Sequence, residues 1–278
     1  MRHSPVAGCF LAALFLPLSV IGKTTCAPIS VGTVAPSQVY SQLPYAPGDR
    51  AEYAISYMGV SAGYAYLEVH PPLLRDGVWY QAYEADARTG NWYRWVFIGH
   101  DSVWSYATPS GLASRYVLDQ DEGKMFGWRT RKHTEIQFDQ AACVATETIE
   151  EADKKPETER VALDAHVLDA LLATFRLRAL DYRPGSAVQL PLYSSRKTAT
   201  LEVTGLSQEQ VRVPAGVFST MKLDLRTYLN GVQQAGGLTV WVALEKPEHP
   251  LVRIITEVAA GSLLLELSQF KHGTPPPE

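Results

Sequence analysis

Histidine is the first residue type whose spacing can be tested for metal chemistry. The chain has seven histidines, at positions 3, 70, 100, 133, 166, 249 and 272. Two histidine ligands on one helix face need a spacing of four residues, and no pair of these histidines has it. No cysteine stands near them at a ligand spacing, so the sequence predicts neither a metal site nor a cofactor.

Nucleophilic catalysis is the second chemistry to consider. The sequence lacks the Gly-x-Ser-x-Gly turn of serine hydrolases, the phosphate-binding loop and the glycine fingerprint for dinucleotides. A catalytic triad needs no local motif, because the fold brings its members together. An envelope hydrolase would need Ser194 or Ser195 in one cleft with His133, His166 or His249. The missing motifs favour a protein without catalytic activity, and the hydrolase is kept as a third hypothesis.

Two aspartates and a glycine, Asp119-x-Asp121-x-Gly123, resemble part of a calcium-binding loop. The third acidic position and the distal glutamate of such a loop are missing. The sequence therefore predicts an acidic β-turn at this place instead of a calcium site.

The densest aromatic cluster is the segment 91–97, with the sequence NWYRWVF. Aromatic side chains on a concave sheet can stack on sugar rings or line an apolar pocket. The candidate binding residues of this segment are Trp92, Tyr93, Arg94 and Trp95. The alternative is that the aromatic side chains belong to the core, where they supply a large packing area.

A second candidate binding surface lies on the predicted strand 125–138. Alternation along this strand places Arg129, Arg131 and His133 on one face. Two arginines on one face could bind a carboxylate or a phosphate through paired hydrogen bonds. The alternative, which we favour, is a solvent-facing strand with cross-strand ion pairs.

The N-terminal residues predict export. Arg2 and His3 precede an apolar run over residues 10–21, a pattern typical of a secretory signal peptide. This run is too short for a membrane-spanning helix, which needs about 20 apolar residues, and no later segment is long and apolar enough. We therefore predict a signal peptide over residues 1–22. Lipid anchoring through Cys26 is the alternative, but residues 23–25 form a poor lipoprotein signal.

The composition excludes several classes of protein. With 46% hydrophobic residues, 19% charged residues and a net charge of −4, the chain is not a disordered protein. The mildly acidic balance also gives no basic footprint for nucleic acid. Cys26 and Cys143 remain after cleavage and could form a disulfide in an oxidising compartment.

Period-two alternation and frequent turn residues predict strands along most of the mature chain. The expected fold is mainly β, an antiparallel curved sheet, open barrel or sandwich. One segment has helical spacing instead, and it predicts an amphipathic α-helix over residues 164–182 with Asp164 as its N-cap. The charged stretch 147–160 before this helix predicts a solvated loop.

The domain boundaries follow from the composition along the chain. Residues 23–48 are rich in proline and predict a leader or tether, and residues 272–278 predict a disordered tail. Between them, residues 49–271 are expected to form a single β-rich domain.

Several segments, taken in order, resemble a known family. They are YAPGDRAEY (45–53), GVSAG (59–63), the helical LDAL to LR (168–178), VPAGVF (213–218), LTVWV (238–242) and PLVRI to GSL (250–263). In this order they resemble the bacterial exported family called domain of unknown function 3108. The resemblance implies a periplasmic, β-rich protein of a Gram-negative bacterium. It brings no catalytic residues, because the family has no established activity.

These observations lead to one leading hypothesis and one rival of another class. We expect a non-catalytic periplasmic protein that holds an apolar or amphiphilic envelope component, such as a lipid or the end of a glycan. The rival is an assembly or scaffold protein that binds an envelope protein through a sheet edge, the helix or an exposed apolar patch.

Overall fold

The computed structural model describes residue 26 and residues 35–40, 42–90, 98–124, 127–152, 154–245, 248–258 and 261–276. As the alternation predicted, the chain is mainly β, with two short helices in the described ranges, α1 (Pro36–Tyr40) and α2 (Ala170–Leu177). The strands are β1 (Arg50–Tyr57), β2 (Val60–Arg75), β3 (Val78–Thr89), β4 (Ile98–Ala107), β5 (Ala113–Gly123), β6 (Arg129–Asp139), β7 (Val144–Glu151), β8 (Glu157–Ala162), β9 (Ala187–Ser194), β10 (Lys197–Val213), β11 (Gly216–Leu229), β12 (Val232–Gln233), β13 (Leu238–Ala243), β14 (Leu251–Val258) and β15 (Gly261–Lys271).

One antiparallel sheet contains these strands, in the order β8-β7-β6-β5-β4-β3-β2-β1-β15-β14-β13-β11-β10-β9, with β12 added beside β11. Most strands pair with their neighbours in sequence. The exceptions are β8 and β9, which are the two ends of the sheet, and β12, which pairs with β11 but not with β13. Two further pairings join strands that are distant or not adjacent in sequence, β1 with β15 and β11 with β13. We call the end where β1 begins and β15 ends the base, and the end where β3 ends and β4 begins the mouth. No helix in the described part of the chain is long and apolar enough to cross a membrane.

The sheet curls until its two end strands approach each other, but it does not close into a barrel. Tyr193 on β9 donates to Glu147 on β7, with a distance of 2.9 Å between the oxygens. The extended segment 163–168, here called the strap, bridges the gap. The Leu163 amide donates to the Cys143 carbonyl, and the Leu168 amide donates to the Pro191 carbonyl. The gap is therefore spanned by side chains and by the strap instead of a continuous ladder.

The helix is shorter than the sequence predicted. It covers Ala170–Leu177 instead of 164–182, and its N-cap is Asp169 instead of Asp164, with the carboxylate accepting from the Leu172 amide. The reason is tertiary, because Leu168 forms a parallel bridge with Leu192 that keeps the strap extended. Val167 and Leu168 share the helical spacing of Leu171, but the backbone of the strap spans the open gap instead of joining the helix.

The charged stretch 147–160 was also predicted wrongly, since most of it forms β7 and β8 instead of a solvated loop. Glu147 is only 6% exposed. Its carboxylate is satisfied by the Tyr193 hydroxyl and by Nε of Arg196, which lies 2.9 Å away. The buried acid therefore belongs to a cross-gap network that the local sequence does not reveal.

Glycine at position 63 permits the close approach of β2 and β3. A Cβ atom on Gly63 would lie 2.1 Å from the Arg88 carbonyl oxygen on β3. A tight hairpin at Pro214-Ala215-Gly216 joins β10 to β11, where Val213 pairs with Gly216.

The base is held by a buried ion pair between Asp49 and Arg178. Nη2 of Arg178 lies 2.8 Å from Oδ2 of Asp49, and both side chains are almost fully buried. Arg178 also donates twice to the Glu248 carbonyl, and the other Asp49 oxygen accepts from the Gly273 amide. The C-cap of α2 is thereby joined to the start of β1 and to the segment after β15.

The segment before β1 also packs against the base. Tyr40 in α1 and Tyr45 are buried in the hydrophobic core. Cys26 and Cys143 form a disulfide, which joins the N-terminal region to the turn between β6 and β7. The packed structure therefore extends beyond residues 49–271, although the predicted signal peptide over residues 1–22 lies outside the described residues.

We expect Arg178→Met to lower the free energy of unfolding by about 3–5 kcal/mol, because it leaves the Asp49 carboxylate buried without its partner. Denaturant titration at neutral pH measures this change. Arg183→Met is the matched control, because the Arg183 side chain is 83% exposed. The control should change stability by less than about 0.5 kcal/mol. Equal losses in the two variants would contradict the role assigned to the buried pair.

Candidate functional site: a cavity inside the curved sheet

The concave side of the sheet encloses a cavity of about 530 Å³. Helix α2 forms its floor near the base, and strands from most of the sheet form its wall. The lining is mainly aliphatic, with a few aromatic and polar groups. It comprises Tyr53, Ala65, Tyr66, Leu67, Ala85, Asp86, Ala87, Asp101, Val103, Tyr116, Ala170, Leu171, Ala173, Thr174, Leu177, Leu192, Leu201, Leu225, Thr227, Leu238, Val240, Leu251, Ile254 and Leu265.

The floor is positioned by the N-cap of α2. Asp169 is buried, and Oδ2 of its carboxyl accepts from the Ser105 hydroxyl on β4 at 2.6 Å. Burial raises the pKa of Asp169 to about 6, while hydrogen bonds from the Leu172 amide and Ser105 oppose the rise. The cap thus ties the first turn of the helix to the wall, and leucines such as Leu171 face the cavity.

The cavity opens toward the mouth. Leu177 in the floor is 2% exposed, whereas Leu238, at the mouth end of β13, is 37% exposed. Ala65 and Ala85 line the cavity, and they are half-buried instead of buried. Apolar groups inside a closed core would be sealed from water, so the exposure of these side chains marks an interior that solvent can reach.

Asp101 is the acidic group that departs most from the apolar character of the wall. Its Oδ1 atom is buried and has no hydrogen-bond partner among the described residues. Burial raises the pKa of Asp101 to about 6, and the Glu122 carboxylate adds to the rise. A hydrogen bond from Gln120 and the proximity of His100 lower the pKa, while Asp86 raises it slightly. The cavity thus contains one carboxyl group without a basic partner in the described structure.

A second aspartate at the cavity, Asp86, has the opposite environment. Its carboxylate accepts from Arg88 at 2.7 and 3.1 Å and contacts Nε2 of His100 at 2.8 Å. Burial acts to raise its pKa, but the hydrogen bonds from Arg88 and His100 hold the pKa below its usual value. The charge of Asp86 is therefore compensated.

Comparison with known proteins places this fold in a family. Residues 52–268 match the family described as "Protein of unknown function (DUF3108)". The chain belongs to this family. The resemblance carried by the ordered sequence segments is thus confirmed, and it covers the strands that build the cavity.

One solved structure has a fold similar to that of this DUF3108 protein. The chain is similar to a β-barrel-like protein of the family DUF1849 from Brucella abortus, at 8% identity and a TM-score of 0.51, over 82% of this chain and 99% of that one. At this identity the likeness concerns the fold alone. No curated protein matches the sequence.

Two further structures are more distant, each with a TM-score of 0.32. One is a candidate exported protein with a YmcC-like fold from Bacteroides fragilis, at 12% identity over 82% of this chain and 98% of that one. The other is a candidate lipoprotein from Parabacteroides distasonis, at 11% identity over 83% of this chain and 98% of that one.

The arginine face predicted on strand 125–138 lies outside the cavity. Nε of Arg129 donates to Asp121 at 2.6 Å, Arg131 lies 3.5 Å from the same carboxylate, and His133 contacts Asp119 at 2.6 Å. These are cross-strand ion pairs between β6 and β5, as the favoured alternative predicted. The prediction of an acidic β-turn was wrong. Asp119 and Asp121 lie within β5, where basic side chains of β6 pair with them.

The aromatic candidates Trp92, Tyr93, Arg94 and Trp95 lie outside the described residues. The flanking residues Thr89 and Ile98 end β3 and begin β4 at the mouth.

The serine and histidine residues of the hydrolase hypothesis have separate surroundings. His133 contacts Asp119, Nδ1 of His249 contacts the Ala243 carbonyl, and His166 lies 3.6 Å from the Cys26 sulfur. Ser194 and Ser195 lie at the turn between β9 and β10, and neither belongs to the described lining of the cavity.

The spacing of residues in the sequence did not reveal one cluster of side chains of the kinds that bind metals. The ligand atoms of Glu68, His70 and Glu84 lie within 4.8 Å of one another on β2 and β3. Glu68 is paired with Arg50, His70 with Glu84, and Glu84 also accepts from the Tyr66 hydroxyl. Neighbouring protein groups thus satisfy the cluster, which only strand pairing brings together.

Asp101→Asn should change the pH dependence of stability. The folded-state pKa of about 6 lies above the ordinary value of 3.8, so protonated Asp101 favours folding at low pH. This contribution is lost as the pH rises through about 6. Relative to the wild type, the variant should therefore gain about 1–2 kcal/mol of stability between about pH 4 and pH 7.5. Denaturant titrations at several pH values measure the gain.

Asp164→Asn is the matched control, because Asp164 is exposed on the strap. As a substitution on the surface, it should change stability by less than about 0.5 kcal/mol in each titration. A constant difference between Asp101→Asn and the wild type would contradict the expected ionisation of Asp101 in the cavity.

Proposed function

We propose that this protein binds an apolar or amphiphilic component of the cell envelope in the interior cavity. The observation that carries the proposal is the cavity itself, with a volume of about 530 Å³ and a mainly aliphatic lining. Binding pockets for small molecules typically have volumes of about 300–1,000 Å³, apolar walls and a few polar groups.

The size of the inward-facing side chains explains why a cavity forms. Near the base, Tyr53 and Tyr83 are large and fully buried, so they fill the space between wall and floor. On β2 and β3, by contrast, Ala65, Ala85 and Ala87 face the interior with small side chains. Protein cores are otherwise packed with few voids larger than a water molecule. An open space of this size, lined by small and aliphatic groups, therefore favours a binding role over a purely structural one.

The proposed location is the periplasm, with export directed by the predicted signal peptide over residues 1–22. The disulfide between Cys26 and Cys143 supports release as a soluble protein over lipid anchoring through Cys26. A cysteine whose sulfur carries a lipid could not form this bond. An oxidising compartment is also where such a disulfide persists.

The rival scaffold function receives less support from the edges of the sheet. Edge strand β8 carries Glu157, Glu159 and Arg160, and Arg196 contacts both glutamates. Edge strand β9 contains Pro191, which has no amide hydrogen to donate. Charges and proline are typical devices that prevent another strand from pairing with an edge.

Filling the cavity should weaken binding. Ala85→Phe places an aromatic ring in the space lined by Ala85, and it should weaken binding of the apolar dye Nile red by about tenfold or more. Dye fluorescence during titration measures the affinity. Ala54→Phe is the matched control, because Ala54 is exposed on β1, and it should leave the affinity unchanged. Equal affinities in both variants would contradict binding in the cavity.

Native mass spectrometry of protein purified from its own envelope tests the natural ligand. We expect a copurified lipid or amphiphilic glycan that the wild type retains and Ala85→Phe loses. Wild-type protein that carries no such mass and binds no apolar dye would overturn the proposed function.

A further inference from the structure

We infer that Asp101 selects the polar end of the ligand, and that the cavity takes a single-chain amphiphile whose head group is a primary ammonium. The alkyl chain would lie along the aliphatic wall toward α2, and the ammonium would donate to the Asp101 carboxylate. This inference rests on the proposed function, because it concerns the same cavity.

The position of Asp101 suits a head group. It lies on β4 two residues from Val103, which also lines the cavity, and four residues from Ser105, which bonds to the cap of α2. Strands rise about 3.3 Å per residue, so Asp101 stands roughly 13 Å from Ser105 on the side of the mouth. A ligand that enters tail first would therefore bring its head group to Asp101.

The charges around Asp101 favour a cation. In the described ranges no arginine, lysine or histidine forms an ion pair with Asp101. The closest histidine along the strand, His100, places Nε2 on Asp86 instead. The Glu122 carboxylate on neighbouring β5 adds a further negative charge nearby. The other acid at the cavity, Asp86, is already neutralised by Arg88, so Asp101 is where uncompensated negative charge meets the apolar wall.

The buried oxygen of Asp101 distinguishes between types of head group. A carboxylate removed from water is costly unless a cation or a hydrogen-bond donor compensates it. A primary ammonium supplies both, and charge-assisted hydrogen bonds are about twice as strong as neutral ones. A hydroxyl supplies a donor without the charge, a quaternary ammonium supplies the charge without a donor, and an anionic head group is repelled.

A displacement series with one alkyl chain and different head groups tests the inference. Nile red bound to the full-length mature protein is displaced at about pH 7.5 with dodecylamine, dodecyltrimethylammonium, dodecanol or dodecanoate, each below its micelle concentration. The wild type should prefer dodecylamine to dodecanol by about tenfold, with dodecyltrimethylammonium weaker than dodecylamine and dodecanoate weakest. In Asp101→Asn the preference for dodecylamine should fall below about threefold, while the affinity for dodecanol stays unchanged.

The control variant is Asp119→Asn, which removes an exposed carboxylate from the outer face of β5 and should keep the wild-type preference. Circular dichroism verifies that each variant is folded. If dodecanol binds but dodecylamine has no advantage, or if Asp101→Asn keeps that advantage, the inference is overturned and the proposed function stands. Tight binding of dodecyltrimethylammonium, equal to that of dodecylamine, would overturn the assigned hydrogen bond. If none of the four compounds displaces the dye, the proposed function itself fails.

Discussion

The buried ion pair between Asp49 and Arg178 is the contact on which the cavity depends. It joins three distant parts of the chain, since Arg178 caps α2, Asp49 precedes β1, and the Gly273 amide after β15 donates to Asp49. A buried guanidinium is tolerated only where its charge and its donors are satisfied, and here Asp49 and the Glu248 carbonyl satisfy them. This requirement fixes the position of α2 at the base, where the helix forms the floor of the cavity.

The space above α2 arises because the sheet does not close into a barrel. A closed barrel of hydrogen-bonded strands would have no edges, whereas this sheet ends at β8 and β9 and must protect both. Glu147 and Tyr193 reach across the gap, and the strap adds backbone hydrogen bonds on both sides. Because these links replace a continuous ladder, the sheet can curl widely enough to leave space above α2. The alanines of β2 and β3 then leave this space unfilled.

Two aspartates at one cavity illustrate how environment decides the role of a residue type. Asp86 is surrounded by Arg88 and His100, so its charge stabilises the wall between β3 and β4. Asp101 lies on the next strand, yet alternation turns it toward the interior, which Val103 and Tyr116 also line. The same carboxyl group is a structural ion-pair partner in one position and an uncompensated polar group in the other. The selectivity that we infer follows from this difference.

Most of the strands and the family could be predicted from the sequence, because period-two alternation, turn residues and ordered motifs are local signals. Segments such as 51–57 and 213–218 adopt what their patterns predict, as antiparallel pairing needs only a buried face and a suitable turn. The length of α2, the burial of Glu147 and the cavity were decided by tertiary structure. Leu168 and Glu147 meet partners on β9, more than 20 residues away, and no local pattern encodes those contacts. Asp101 likewise has no motif, because a buried carboxyl oxygen without a partner becomes recognisable only when the strands around it have curled.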